Sequence, residues 1–460
     1  MRLNHQNNIF VLTAILLSIF SCKNNTKNKE NSELALANNT KVELTENQLL
    51  DTIQYQTFNY FWDGAEPNSG MARERIHLDE NYSSSPKNTV TTGGTGFGLM
   101  AILVGVERGW ITREQAFKRY TKIVNFLENA DRFHGAWSHW IDGGSGNAIP
   151  FSALDNGGDI VETAFLVQGL ICVKEYLETD GATPEEEALA AQADMLWKGV
   201  EWDWYTQGQN ALYWHWSPSD GFAINLELQG YNETLIAFIL GAASPDYSIE
   251  AEVYHQGWAN NGAIVSGGSQ YNIPLILDHA GSGTGPLFWA HYSYLGLDPR
   301  NLTDQYANYW DLNVNHTNIN YQHCVNNPNN YVDYGVDCWG LTASYTRNGD
   351  GSVGYTAHSP GNDTGVISPT AAISSIPYTP EKSLAAMHYF YSKNDILLGP
   401  AGFYDAFSPH YNDWVTERYL AIDQGPEIIM IENYRTQLFW NLFMQNEDVQ
   451  NGLNALGFSY

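Results

Sequence analysis

Stretches that are apolar on every side alternate along this chain with stretches that are apolar on one side only. Phe97, Leu99, Met100, Ile102 and Leu103 belong to a run without a polar face, as do Phe165, Leu166, Leu170, Ile171 and Val173, and then Leu235 to Leu240. Helices of this kind must be buried all round. Amphipathic helices lie between them. One carries Leu49, Leu50, Ile53, Phe58, Phe61 and Trp62. The next has Thr112 as its N-cap, an apolar face of Phe117, Tyr120, Ile123, Phe126 and Leu127, and Lys118, Arg119 and Lys122 opposite. An acidic one runs from Pro184 to about Trp202. Further helices are expected near Ser248, Pro286 and Leu302, from Pro369 to Pro380, and from Pro426 to Ile429. Hairpins are expected at Gly135 to Gly146 and Leu212 to Ile224, and loops at 257–285 and 326–368. There is no βαβ spacing. A ring of buried helices wrapped by amphipathic ones, an all-α toroid with short β-hairpin insertions, satisfies the alternation and makes 46–460 one domain. The inner helices of such a ring are parallel, so their N-termini open on one face.

Three carboxylates fall at one of those openings: Asp155, Asp159 and Glu162. Glu233, within Tyr231-Asn232-Glu233-Thr234, stands at the next. Helix capping accounts for part of this. Asp159 with Glu162 resembles a capping box, Asn232 suits a cap, and acids in a first turn suit the helix dipole. A capping box does not use three acids, however, and Asp155 is four residues early for a cap. Paired carboxyl groups across a bond are what glycoside hydrolysis needs, one protonated toward the leaving oxygen and one activating water or attacking. Aromatic residues collect in the same loops, including Trp137, Trp140, Trp214, Trp216 and Tyr231, with His139 and His215 beside them. These rings can be core or can stack on sugars, and the histidines can be structural or bind hydroxyls.

Acidic side chains outnumber basic ones 51 to 22, a formal charge of -29, which disfavours nucleic acid and polyanionic substrates. Residues 1–22 read as an export signal: Arg2 and His5 precede an apolar run from Ile9 to Phe20, too short to span a bilayer. Its end, Ser21-Cys22, resembles a lipobox, which would make Cys22 a lipidated first residue and the only membrane link. Residues 23–45 then form a flexible tether. Cys172 reads as a buried thiol, and Cys324 and Cys338 could pair. No Cys/His cluster has zinc spacing, and no metal or cofactor is expected. Asn348-Gly349-Asp350-Gly351 reads as a plain turn lacking full calcium-loop spacing.

Several segments together resemble the glucoamylase-like bacterial family. They are Thr57 to Asp63 with Ser69 to Arg75, Thr95-Gly96-Phe97-Gly98, Gly365 to Ala372, Gly402 to Phe407, and Asp423-Gln424-Gly425-Pro426 with Ile431 to Arg435. The likeness is greatest to the endo-β-1,2-glucanases of glycoside hydrolase family 144. That resemblance implies an (α/α)6 barrel and an inverting, metal-free hydrolase. Asp155, Asp159 and Glu162 resemble that family's acidic cluster and Glu233 its other essential acid; Glu233 is favoured as general acid, with Asp159 or Glu162 on the water-activating side and Asp155 in support, and the reverse assignment stays open. Arg75, His139, Trp140, Trp216, Tyr231, Asn232, Tyr404 and Gln424 are the candidate sugar contacts. The expected activity is cleavage of β-1,2-glucan to sophorose and short oligosaccharides by a lipid-anchored enzyme. The alternatives are an exo-acting or differently specific β-glycan hydrolase of the same fold, and a non-catalytic surface glycan-binding lipoprotein.

Overall fold

A computed structural model of the chain describes residues 44–82, 86–179, 181–279 and 281–460. The expected signal with Cys22, and the tether up to residue 43, lie outside the described residues. Leu44–Tyr460 clusters as one compact unit. Its helices are α1 Glu46–Trp62, α2 Thr92–Glu107, α3 Arg113–Asn129, α4 Ile160–Leu177, α5 Pro184–Lys198, α6 Leu235–Ala243, α7 Tyr309–Asn326, α8 Pro369–Ser374, α9 Pro380–Ser392, α10 Asn394–Leu397, α11 Ala421–Thr436, α12 Leu438–Met444 and α13 Glu447–Ala455. Capping explains where several begin. Thr45, Thr112 and Thr183 each accept the N3 amide, and the N3 side chain (Gln48, Gln115, Glu186) returns the bond.

The helices without a polar face are interior. Nearly every residue of α2 and of α4 up to Val173 is buried. The buried helices neighbour one another in the order α8, α11, α2, α4, α6. From α6 the path continues through two 3-10 turns, Leu287–Ala290 and Tyr292–Tyr294, where Ser293 Oγ accepts the Ile236 amide at 3.1 Å. His291 Nε2 lies 3.0 Å from Ser375 Oγ, at the end of α8. The amphipathic α1, α3, α5 and α9 pack outside against these segments. Between α2 and α4 the backbones touch. A Cβ on Gly96 would stand 2.1 Å from the Phe165 carbonyl oxygen, and one on Gly169 2.3 Å from that of Gly96. Glycine is required at both because any side chain would force the helices apart. A part-buried ion pair, Arg108 to the buried Glu432 at 2.7 Å, joins the end of α2 to α11, and Gln54 of α1 donates to the same carboxylate at 3.1 Å.

Several boundaries differ from expectation. The helix expected at Pro426 begins at Ala421, so Pro426 lies inside it. There it forgoes one intrahelical bond, the one its amide would have made to the Ile422 carbonyl. The helix expected near Ser248 is a six-residue π turn, Val253–Trp258. That near Pro286 is 3-10, and the one near Leu302 starts at Tyr309, capped by Asn308. Asn326–Ser368 contains an antiparallel hairpin, Ala343–Arg347 with Val353–Ala357, turning at Asn348 to Gly351. Its first strand is buried at Ala343 to Thr346 and its second has no buried residue, so neither shows the apolar–polar alternation that marks a strand in sequence. The hairpin expected at Gly135 to Gly146 begins earlier, at Arg132–Phe133 paired with Ala136–Trp137, and is followed by a separate strand, Trp140–Asp142, that pairs with Thr89–Thr91. Leu212–Ile224 closes on itself at Ser217 and Gly221, whose backbones exchange two hydrogen bonds, while its strand His215–Trp216 pairs with Gly158–Asp159. Cys324 and Cys338 are both buried and are not bonded to each other, like Cys172.

Candidate active site

The N-termini of α2, α4, α6 and α11 contribute to a single cavity of about 740 Å³, through Thr91, Asp159 and Glu162, Asn232 to Thr234, and Ile422. Asp159 is the N-cap of α4. Its Oδ1 accepts the amides of Val161 and Glu162, both at 2.9 Å, and its Oδ2 meets His139 Nδ1 at 2.9 Å. Glu162 does not complete a capping box. Its Oε2 instead accepts the Gly93 amide at 2.8 Å and the Thr91 hydroxyl at 3.2 Å, tying α4 to the start of α2. Its Oε1 lies 3.9 Å from His139 Nε2. Asp155 sits behind the cavity wall. It is 2 % exposed, 3.9 Å from His139 Nδ1 and 3.5 Å from His215 Nε2, and neither oxygen has a hydrogen-bond partner.

The electrostatics follow from packing three carboxylates around one imidazole. Burial opposes charge on His139, but Glu162, Asp159 and Asp155 outweigh it and push the imidazole up to about 9, so it is a cation at neutral pH. Burial, then the charge of Asp159, lifts Asp155 to about 7. Glu162 is also raised, by burial first. Glu233 borders the same cavity from the start of α6, and burial lifts it to about 7, with Glu162 and Asp159 adding to the shift. His139, Asp155 and Asp159 bring one ligand atom each within 4.8 Å of one another. A protonated imidazole has no lone pair to give, so at neutral pH this trio is an ion-pair cluster before it is a metal site.

Of the candidate sugar contacts, Arg75, His139, Trp140 and Asn232 line the cavity. Arg75 pairs with Glu74 and lies 5.7 Å over the Trp140 ring. Asn232 is not the helix cap. Its Oδ1 accepts the Thr234 amide at 3.0 Å, and Thr234 is the N-cap, so Glu233 precedes the helix. The other four are outside the lining. Trp216 packs edge-on against His134 and Trp204. Tyr231 is buried with its hydroxyl on Asn313 at 3.0 Å. Tyr404 packs on Tyr419, and Gln424 donates to the Phe403 carbonyl at 2.8 Å. They hold turns and rings that shape the site from behind. Trp214, one of the loop aromatics, is in the lining too, and residues missed in the sequence include Glu74, His279, Tyr292, Tyr345, Tyr355 and Arg418, all in the lining. Tyr345 and Tyr355 come from the unexpected hairpin. Behind it, Asp405 Oδ2 accepts the Tyr345 amide at 2.7 Å and Asp405 is hydrogen-bonded to Asp423. Burial lifts Asp405 to about 6 and raises Asp423 as well. Both acids belong to segments that carried the family resemblance.

Residues 225–447 match the Glycoamylase family model, a glucoamylase family. An endo-β-1,2-glucanase from Chitinophaga pinensis, solved with sophorotriose and glucose, is 54% identical, with a TM-score of 0.87, over 91% of this chain and 99% of that one. The chain belongs to this glucoamylase-like family. A β-1,2-glucanase structure from Parabacteroides distasonis is 43% identical, with a TM-score of 0.83, over 90% of this chain and 60% of that one. An exo-β-1,2-glucooligosaccharide sophorohydrolase of the same organism is 42% identical over 449 residues. The family member described here spans 60% of the length of that curated relative. The named relatives are glycoside hydrolases acting on β-1,2-linked glucose chains.

Proposed function

We propose that this protein is an inverting endo-hydrolase of β-1,2-glucan, releasing sophorose and short oligosaccharides, on the (α/α)6 toroid that the order of buried helices supports. The observation that carries the reading is the placement of Glu233 and the Asp159–Glu162 pair on one cavity, opened by adjacent helix N-termini. Glu233, held by burial at about 7, is the general acid: a large share of it keeps its proton at neutral pH, and that form gives its proton to the leaving glycosidic oxygen. Glu162 is the water-side group. One oxygen is fixed by Gly93 and Thr91, which aims the other toward the cavity as the base. Asp159 is committed at both oxygens to the helix cap and His139, so it positions rather than reacts. Endo action is favoured by the higher identity to the Chitinophaga endo-acting enzyme, 54% against 42% for the exo-acting relative. Cys22 as a lipid anchor is part of the same reading. Replacing Cys22 by Ser should move the protein from the membrane to the soluble fraction.

The test is to incubate the soluble part with linear β-1,2-glucan and follow products by NMR. Rapid shortening of the polymer with α-anomers appearing first is the expected result. Disaccharide as the sole product from the outset means exo action, and β-anomers first means retention. Glu233→Gln should lower turnover by roughly 10²–10⁴ with an unchanged circular dichroism spectrum. Activity within tenfold of wild type would remove Glu233 from the general-acid role.

A further inference from the structure

Behind the strand His215–Trp216 the surface holds a second hollow, of about 330 Å³, lined by Glu201, Asp203, Trp204, Gln207, Gly208, Phe222 and Tyr247. Trp204 is 40% exposed although it is the centre of an aromatic group. His134 stacks on one of its faces at 3.7 Å, and Trp216 meets it edge-on at 5.8 Å. These contacts fix the ring's orientation and leave its remaining surface toward the hollow. Polar groups stand around it. Glu201, whose side chain is 36% exposed, is steadied by His134 at 2.7 Å. Asp203 is anchored by the Trp204 amide at 2.9 Å. Gln207 follows in a left-handed conformation (φ 53°), and its amide Nε2 has no hydrogen-bond partner.

We infer that this hollow is a secondary binding site for a neutral glucan chain, one that holds polymer on the enzyme outside the catalytic cavity. A rigid indole with an uncovered surface stacks on the apolar face of a pyranose, and carboxylates with an amide around the ring plane are suited to its equatorial hydroxyls. A polyanion is repelled by Glu201 and Asp203. An organic cation would be enclosed better by several free aromatic faces, whereas here His134 and Trp216 already occupy part of the indole. The hollow is one strand pair away from Asp159, because His215 and Trp216 pair with Asp159 and Gly158. A chain caught here is therefore held close to the cleft.

The inference rests on the glucan reading above, and the experiment separates the two. Wild type, Trp204→Ala and Gln207→Gly are assayed on a linear β-1,2-linked pentasaccharide and on long linear β-1,2-glucan, and run on native gels containing that polymer. Gln207→Gly removes the amide while easing the left-handed backbone, so its fold should be preserved. Hydrolysis of the pentasaccharide by wild type tests the functional reading by itself. The expected result for both variants is pentasaccharide kcat/KM within twofold of wild type, with kcat/KM on polymer lowered about three- to tenfold and gel retardation weakened, the size of a lost ring stack. Equal losses on short and long substrates would mean a structural effect through the strand pair and would overturn the site. So would unchanged behaviour on polymer in both variants, or wild-type mobility shifted by a tetramethylammonium salt and not by the glucan.

Discussion

Asp159 shows how a cap and a site can be the same residue. Its Oδ1 does what the capping reading of the sequence asked, and its Oδ2 orients His139. The other half of the supposed capping box failed because Glu162 found partners 69 and 71 positions away in Gly93 and Thr91. No local pattern reveals a bond of that span. His139 was legible as a candidate sugar contact beside Trp140, and the structure gives it an electrostatic role as well. As an imidazolium it lowers the carboxyl pKa of Glu162 and of Asp155, against the burial that raises them. Replacing His139 by Gln removes that charge, so Glu162 should need higher pH to ionise. The acid limb of the kcat/KM profile of His139→Gln should move toward alkaline pH, and an unmoved limb would detach His139 from Glu162. The same residue carries a stability signature. Its folded pKa, about 9, lies above the ordinary 6.5, so its contribution is complete below 6.5 and is lost as pH rises through 9. Urea midpoints of wild type should fall across that interval more steeply than those of His139→Gln.

At the level of elements, long apolar helices were readable and short or irregular ones were not. α2 and α4 announce themselves by continuous apolar sequence, whereas the 3-10 turns at Leu287–Ala290 and Tyr292–Tyr294 are too short to have a period. The hairpin Ala343–Arg347 with Val353–Ala357 was hidden in an Asn-, Gly- and Tyr-rich stretch, yet it brings Tyr345 and Tyr355 to the cavity. The family segment Thr95 to Gly98 reads as a packing device at this scale. Gly96→Ala pushes a methyl into the Phe165 carbonyl and should cost at least about 1–3 kcal/mol in chemical denaturation. The ion pair between α2 and α11 gives a second measurement. Arg108→Met would leave Glu432 buried without its cation and should destabilise by roughly 3–5 kcal/mol, whereas a loss below about 1 kcal/mol would show Gln54 and Thr436 to be sufficient partners.

For the whole molecule the decisive property is charge. A formal charge of -29 spread over 460 residues makes the surface strongly acidic. The sequence shows that imbalance at once, and it already argued against nucleic acid. What it could not show is that acids are also concentrated inside, around His139 and again at Asp405 and Asp423, where the fold gathers residues from distant segments. The two populations respond differently to salt. Surface repulsion is screened within about 8 Å at physiological ionic strength, so the melting temperature should rise between 10 mM and 200 mM sodium chloride. The buried clusters are shielded from that screening. A neutral glucan carries no charge to be steered, so kcat/KM on β-1,2-glucan should stay within about twofold over the same range. A charged substrate would behave otherwise, since a cationic glycan would be drawn to this surface at low salt and its kcat/KM would drop steeply as salt increased. Parallel titrations of melting temperature and kcat/KM therefore test the neutral-substrate reading without any mutation: the first must move and the second must not.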